Sequence, residues 1–135
     1  MAGYSKRTLI DKLGIKEGAQ VYIGDPPAGY DRALGKLPPG AVRLRELRSP
    51  CDFIHFFTTD RSRLQREFPK LKASLARDGM LWVSWPKGAS KVATDLNGNL
   101  AREIGLANGL VDVKVCAVDD VWSGLKFVYR LADRR

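Results

Sequence analysis

Histidine and cysteine are scarce in this sequence, which removes several classes of catalytic and metal site. The single histidine, His55, lies in the nearly continuous apolar run 52–58, so we expect a hydrogen-bonded core residue rather than a ligand or a base. Cys51 and Cys116 do not have the Cys-His spacing of a zinc site, and no Ser-His-acid or Cys-His catalytic set can be assembled around one histidine. Zinc-dependent and nucleophilic catalysis are therefore not predicted.

Long apolar segments are missing as well. No run approaches the ~20 residues that a membrane-spanning helix needs, and no N-terminal stretch resembles a signal peptide. Cys51 and Cys116 are far apart and lie inside apolar runs, which suits reduced, buried thiols better than a disulfide framework. We therefore expect a cytoplasmic protein without a membrane partner.

Apolar residues make up 44% of the 135 residues, enough for one domain over residues 1–135 with its own core. The formal charge of +8 makes a nucleic acid or another polyanion a partner to consider. Basic residues are scattered, however, and only the segment 60–78 concentrates them. A solvated helix face explains that segment more simply, so nucleic acid is an alternative partner and not the favoured one.

Hydrophobic patterning predicts an alternation of strands and helices. The predicted strands are 19–24, 42–47, 52–58, 80–85, 111–118 and 125–131, and the predicted helices are 6–13, 29–34, 61–75 and 96–106. Candidate N-caps are Ser5, Asp60 and either Thr94 or Asp95. Pro69 predicts a kink or a restart in the third helix, because proline removes one helical hydrogen bond.

The order of these elements predicts an α/β fold. Asp78-Gly79 predicts a turn into the strand 80–85, and the segment 119–124 is too short for a crossover helix, so the last two strands should form an antiparallel hairpin. Alternating strands and helices build a mostly parallel sheet with helices on both faces. We predict a three-layer, Rossmann-like sheet with a C-terminal antiparallel hairpin.

The second half of the chain resembles a class I S-adenosylmethionine methyltransferase. The segment 75–84, LARDGMLWVS, is followed by a helix and then by a terminal strand pair, as in that family. The resemblance implies a methyltransferase-like fold and, as an activity, S-adenosylmethionine-dependent methyl transfer. Glu46 stands where an acidic ribose ligand would be expected, although a surface charge among arginines is the alternative. The first loop departs from the pattern, because Asp25-Pro26-Pro27 replaces the glycine-rich turn.

A second resemblance spans nearly the whole chain. It is to a bacterial family of short proteins described only as a domain of unknown function. It rests on the following segments: GYS at 3–5, LGIKEG at 13–18, WPK at 85–87, TDL at 94–96, VCAVD at 115–119 and WSGLKF at 122–127. That family implies a compact Rossmann-like domain and supplies no activity, substrate or site residue.

The loops after the parallel strands contain the candidate site, because ligands bind outside the carboxyl ends of such strands. We predict that Lys87, Ser90, Lys91 and Thr94 contact a small anion ahead of a helix N-terminus. The alternative is a capping threonine with two solvated lysines.

Four further residues are predicted to line the same cleft from the hairpin loop: Asp119, Asp120, Trp122 and Ser123. The two carboxylates serve equally as turn formers, and the tryptophan as a side chain folded onto the core. The sequence thus favours a non-catalytic Rossmann-like domain that binds a small phosphate- or nucleotide-like anion or a protein partner. A diverged methyltransferase-like enzyme and a nucleic-acid-associated basic protein are the alternatives, and no cofactor follows from the residues alone.

Overall fold

A computed structural model describes residues 8–134 of the chain. The helices are α1 (Leu9–Leu13), α2 (Tyr30–Leu34), α3 (Arg61–Ser74) and α4 (Gly98–Ala107). The strands are β1 (Gln20–Gly24), β2 (Val42–Arg43), β3 (Cys51–Phe57), β4 (Leu75–Pro86), β5 (Leu110–Ala117) and β6 (Trp122–Tyr129). Short 3₁₀ turns lie at Gly88–Ser90 and Leu131–Asp133. No helix in this part of the chain is long and apolar enough to cross a membrane.

The strands form one six-stranded sheet in the order β2-β1-β3-β4-β6-β5. Strands β1 to β4 pair in parallel, whereas β6 is antiparallel to both of its neighbours, β4 and β5. Because β4 and β5 both run opposite to β6, β5 has the same direction as the parallel strands. The predicted mostly parallel sheet with a C-terminal antiparallel hairpin is confirmed.

Apolar side chains fill both faces of the sheet. One core cluster joins the sheet to α3 and α4 and includes Trp85, and the other joins it to α1 and α2 and includes Trp82. The two tryptophans are three positions apart on β4, and side chains alternate along a strand, so each enters a different layer. The fold is the predicted three-layer, Rossmann-like α/β arrangement.

Helix α3 begins where predicted but is not broken by its proline. The Asp60 carboxylate caps it by accepting a 3.2 Å hydrogen bond from the Arg63 amide. The helix continues through Pro69, so the predicted restart is wrong. An interior proline costs a helix about 3 kcal/mol, and the buried stripe of Leu64, Phe68 and Leu71 offsets that cost.

Strand β4 begins at Leu75, earlier than the predicted turn at Asp78-Gly79. Those two residues lie inside the strand, where the register with β3 shifts between the pairs Cys51–Leu75 and Phe53–Met80. Glycine is needed in this irregular segment because a Cβ at Gly79 would lie 2.8 Å from the Asp52 carbonyl oxygen. The turn signal therefore marked a bulge in the strand.

Two N-caps differ from the prediction. Asn97 caps α4 by accepting from the Leu100 amide at 2.9 Å, so neither Thr94 nor Asp95 does. Thr8 caps α1, and the candidate cap Ser5 lies outside the described residues.

The predicted strand 42–47 is reduced to the two residues of β2. Leu44, just beyond it, is buried in the core, and its amide still donates to the Val21 carbonyl of β1 at 2.7 Å.

Candidate functional site

The topology places a crevice between the carboxyl ends of β1 and β3. From β1 the chain passes to β2 on one side, and β3 then pairs with β1 on the other side. In open α/β sheets ligands bind at such a reversal of strand order, outside the carboxyl ends of the strands. Here the crevice lies between Gly24, which ends β1, and Phe57, which ends β3.

The first loop at this crevice has an unusual backbone. Asp25 has a φ of 52°, a left-handed conformation that few residues other than glycine adopt, and Gly29 has a φ of 89°. Between them, Pro26 and Pro27 have no amide hydrogen to offer a ligand. A depression of about 480 Å³ lies on this loop and the start of α2, between Pro26 and Arg32.

An ion pair bridges the crevice. The Arg63 guanidinium, from the first turn of α3, pairs with the Asp25 carboxylate and lies 5.0 Å from the centre of the Phe56 ring. Both charged side chains are well exposed, at 37% for Arg63 and 56% for Asp25. The Phe56 ring also packs against the backbone of Gly24, where a Cβ would lie 2.9 Å from the ring. The first loop and α3 are thus joined directly over the carboxyl ends of β1 and β3.

Tyr22 lies close enough to this ion pair for both of its charges to affect the pKa of the Tyr22 hydroxyl. Partial burial raises the pKa of the Tyr22 hydroxyl, and the Asp25 and Glu67 carboxylates raise it further, whereas Arg63 lowers it. Tyr22 packs against the core cluster on the α3 side of the sheet. Tyr22 is therefore within electrostatic reach of the ion pair and of Glu67 on α3.

The loop after β4 holds the predicted anion contacts, and its two hydroxyls already bond to backbone. Ser90 donates to the Lys87 carbonyl at 2.7 Å, and Thr94 donates to the Thr59 carbonyl at 2.7 Å. Lys91 is exposed, with a φ of 67°. Asp95 accepts from the Arg61 amide at 2.7 Å and so fastens the loop to the start of α3.

The predicted meeting of this loop with the hairpin loop is present. The Lys87 amide donates to the Val121 carbonyl at 2.7 Å. Asp119 closes the hairpin turn by accepting from the amides of Val121 and Trp122, at 2.8 and 2.7 Å, which is the turn-forming alternative.

The other hairpin residues contribute little to a cleft. Trp122 lies edge-on to Phe57 with 5.3 Å between ring centres, so it is folded onto the core. Ser123 lies opposite Trp85 in the sheet, and Asp120 is exposed.

A buried chain of polar groups lies under the α1 and α2 side of the sheet. Tyr30 Oη lies 2.8 Å from His55 Nδ1, and His55 Nε2 lies 2.7 Å from Ser84 Oγ. Complete burial lowers the pKa of His55 to about 3, so the imidazole is neutral at physiological pH. His55 is the predicted hydrogen-bonded core residue, and the burial of all three side chains keeps a substrate from reaching them.

Metal ligands and the opposite edge of the sheet offer no alternative site within residues 8–134. Within residues 8–134 no group of three or more histidine, cysteine, aspartate and glutamate side chains could hold a metal ion. A cavity of about 280 Å³ lies at the opposite edge, near Gly14, Asp52 and Met80, where the strands have their amino ends. Ligands of parallel sheets bind at the other edge.

The fold matches those of solved methyltransferases. The chain matches no protein-family model and no curated protein. It is similar in structure to a precorrin-6y C5,15-methyltransferase from Geobacter metallireducens, with a TM-score of 0.62 and 9% identity over 90% of this chain and 86% of that one. It is also similar to a TehB-like S-adenosylmethionine-dependent methyltransferase from Corynebacterium glutamicum, with a TM-score of 0.55 and 13% identity over 90% and 85%.

A third similar structure contains a ligand. It is the magnesium protoporphyrin IX methyltransferase from Synechocystis PCC 6803 with bound S-adenosylmethionine, with a TM-score of 0.58 and 13% identity over 90% of this chain and 74% of that one. Such identities establish the fold and no more, so the predicted methyltransferase-like fold is confirmed. The resemblance to a family of unknown function stays a prediction.

The sequence did not reveal the ion pair at the crevice. Asp25 was visible only as part of a loop without the usual glycines, and Arg63 only as one of several basic residues on a helix. Their contact depends on β1 and α3 meeting at the reversal of strand order, which single-sequence patterns do not specify.

Proposed function

We propose that this chain is a diverged methyltransferase-like enzyme that binds S-adenosylmethionine between the carboxyl ends of β1 and β3. The observation that supports this best is the sheet topology, which creates a ligand crevice in a fold shared with a methyltransferase that holds S-adenosylmethionine. In this proposal residues 1–135 act as one domain.

The residues at the crevice fit the anionic end of this cofactor. Arg63 would bind its carboxylate once the ion pair with Asp25 opens, and exposed ion pairs contribute only about 0–1 kcal/mol. Ala28 and Gly29 keep the backbone amides that Pro26 and Pro27 lack. The cofactor would supply an electrophilic methyl group, and this chain would orient it.

Glu46 is the candidate for contact with the ribose. It lies in the loop that follows β2, next to a depression of about 390 Å³ lined by Arg45 and Arg48. An acidic residue after the second strand is well placed to accept hydrogen bonds from ribose hydroxyls. The same residue is exposed and has no ion pair within residues 8–134, so its replacement should not affect folding.

A thermal-shift panel tests this proposal. S-adenosylmethionine and S-adenosylhomocysteine should stabilise the protein, whereas NAD⁺ and ATP should not. Glu46→Ala and Arg63→Gln should each reduce the shift, while Glu103→Ala, an exposed change on α4, should leave it intact. The proposal would be refuted if neither S-adenosylmethionine nor S-adenosylhomocysteine stabilised the protein.

A second candidate is a non-catalytic domain that binds a small phosphate-like anion after β4. The favouring observation is that Lys87 and Lys91 flank the 3₁₀ turn Gly88–Ser90 and have no ion pair within residues 8–134. Because Ser90 and Thr94 donate to carbonyls, the two ammonium groups would supply most of the attraction. Titration with phosphate and nucleotides should then shift the amides of 88–95, and a silent loop would exclude this candidate.

A further inference from the structure

Two lysines face each other directly across the strands β5 and β6. Lys114 is the register partner of Lys126, so their side chains project from the same face of the hairpin. That face is opposite α4, because the neighbouring Leu125 and Phe127 point into the core cluster that contains α3 and α4. Lys126 also lies opposite Trp82 of β4, which places it near the end of α1.

A third lysine completes this group. Lys16, in the loop after α1, lies close enough to Lys126 to lower its pKa, together with partial burial and Lys114. Burial is the largest cause of this lowering, and both charged neighbours act in the same direction. Lys16, Lys114 and Lys126 are called the lysine face below.

The lysine face is electrostatically costly. Like charges directly opposite in an antiparallel pair destabilise the sheet, and half-burial of Lys126 adds to that cost. The ion pairs of residues 8–134 all lie elsewhere, at Arg43–Asp31, Arg63–Asp25, Lys70–Glu67 and Arg102–Asp112. Neither Lys114 nor Lys126 takes part in one of these pairs, so an external anion that bound beside both of them would remove their repulsion.

We propose that the lysine face binds the phosphate backbone of double-stranded nucleic acid. Two ammonium groups on one sheet face, with that of Lys16 in the neighbouring loop, offer phosphate oxygens several point-charge contacts, and the net charge of +8 attracts a polyanion at long range. Within residues 8–134 the hairpin offers bases no stacking platform, because the three aromatic residues of β6 pack on the core: Trp122, Phe127 and Tyr129. Binding is therefore to the duplex backbone and independent of sequence.

Salt-dependent binding of a labelled duplex DNA tests this inference. About three phosphate contacts predict a slope of log affinity against log salt near −3. Lys114→Gln should make that slope less steep by about one and should also raise the melting temperature, since it removes the opposed charge. A structural role alone would not predict opposite effects on stability and on binding.

Lys70→Gln is the matched control. It removes the same charge from an exposed lysine on α3, on the other side of the sheet, and should leave the slope unchanged. Equal effects of the two substitutions would mean that net charge alone attracts DNA, and would overturn the proposal. Absence of duplex binding at 50 mM salt would also overturn the proposal. So would displacement of the duplex by polyglutamate at equal charge concentration, since an acidic protein would then be the better partner.

Discussion

The Asp25 carboxylate is ion-paired with the Arg63 guanidinium across the mouth of the crevice between β1 and β3. Asp25 reaches it from a left-handed backbone conformation that costs a residue other than glycine about 1 kcal/mol. Strain of this kind at a ligand edge often has a functional reason. In our account Asp25 occupies the position that an anionic ligand group takes on binding.

Asp25→Asn should therefore raise the affinity for S-adenosylhomocysteine. Opening an exposed ion pair costs up to about 1 kcal/mol, so the gain should reach about fivefold at most. Methylthioadenosine, which lacks the carboxylate, should bind both proteins equally. Calorimetric titration measures both ligands, and an equal gain for methylthioadenosine would show that Asp25 does not compete with the carboxylate.

Replacement of His55 should be strongly destabilising. His55→Leu leaves the buried hydroxyls of Tyr30 and Ser84 without their partner, at about 1–3 kcal/mol for each, so urea denaturation should show a loss of about 2–5 kcal/mol. Adding Tyr30→Phe and Ser84→Ala removes the unpaired groups and should recover part of the loss. A loss below about 1 kcal/mol for His55→Leu would mean that the hydrogen bonds from His55 to Tyr30 and Ser84 do not stabilise the fold.

The same histidine should make stability depend on pH. Burial lowers its pKa from 6.5 to about 3, so the unfolded chain binds a proton between these values that the folded protein does not. The free energy of unfolding should therefore fall as the pH drops below about 6.5, by up to about 1.4 kcal/mol per pH unit. The triple variant without His55 should lack this slope between pH 7 and 5, and equal slopes would contradict the assignment.

Helix α4 should tolerate a methyl group at one glycine and not at another. A Cβ at Gly105 would overlap the ring of Phe127, so Gly105→Ala should cost about 1–3 kcal/mol despite alanine's better helix propensity. Gly98→Ala is the control on the same helix, because its Cβ would lie 3.5 Å from the Trp85 ring, an ordinary contact. Thermal melting distinguishes them, and similar melting temperatures would contradict this packing.

The layers and the sheet direction could be predicted because they follow from local patterns. The apolar run around His55, the helical spacing of Leu64, Phe68 and Leu71, and the short hairpin connection each have few alternatives. Local sequence signals gave wrong predictions where tertiary packing decides the secondary structure. Pro69 stays inside a helix because Leu64, Phe68 and Leu71 of the same helix are buried, and Gly79 lies in a bulge rather than a turn.

The candidate site could be predicted only as an edge of the sheet. The sequence predicts Ser90 and Thr94 as ligand contacts, whereas their hydroxyls donate to the carbonyls of Lys87 and Thr59. Polar loop residues have many local partners to choose from, and a sequence does not show which of them they reach. The contact between Asp25 and Arg63 joins residues 38 positions apart, so no local pattern indicates it.

Amide chemical-shift mapping with S-adenosylhomocysteine shows whether the ligand binds between the carboxyl ends of β1 and β3. Saturable shifts are expected in residues 24–29 and in residues 58–63, which form the two sides of the crevice, and these shifts should be lost in Arg63→Gln. Absence of saturable shifts, or shifts confined to residues 88–95 after β4, would contradict binding at the crevice.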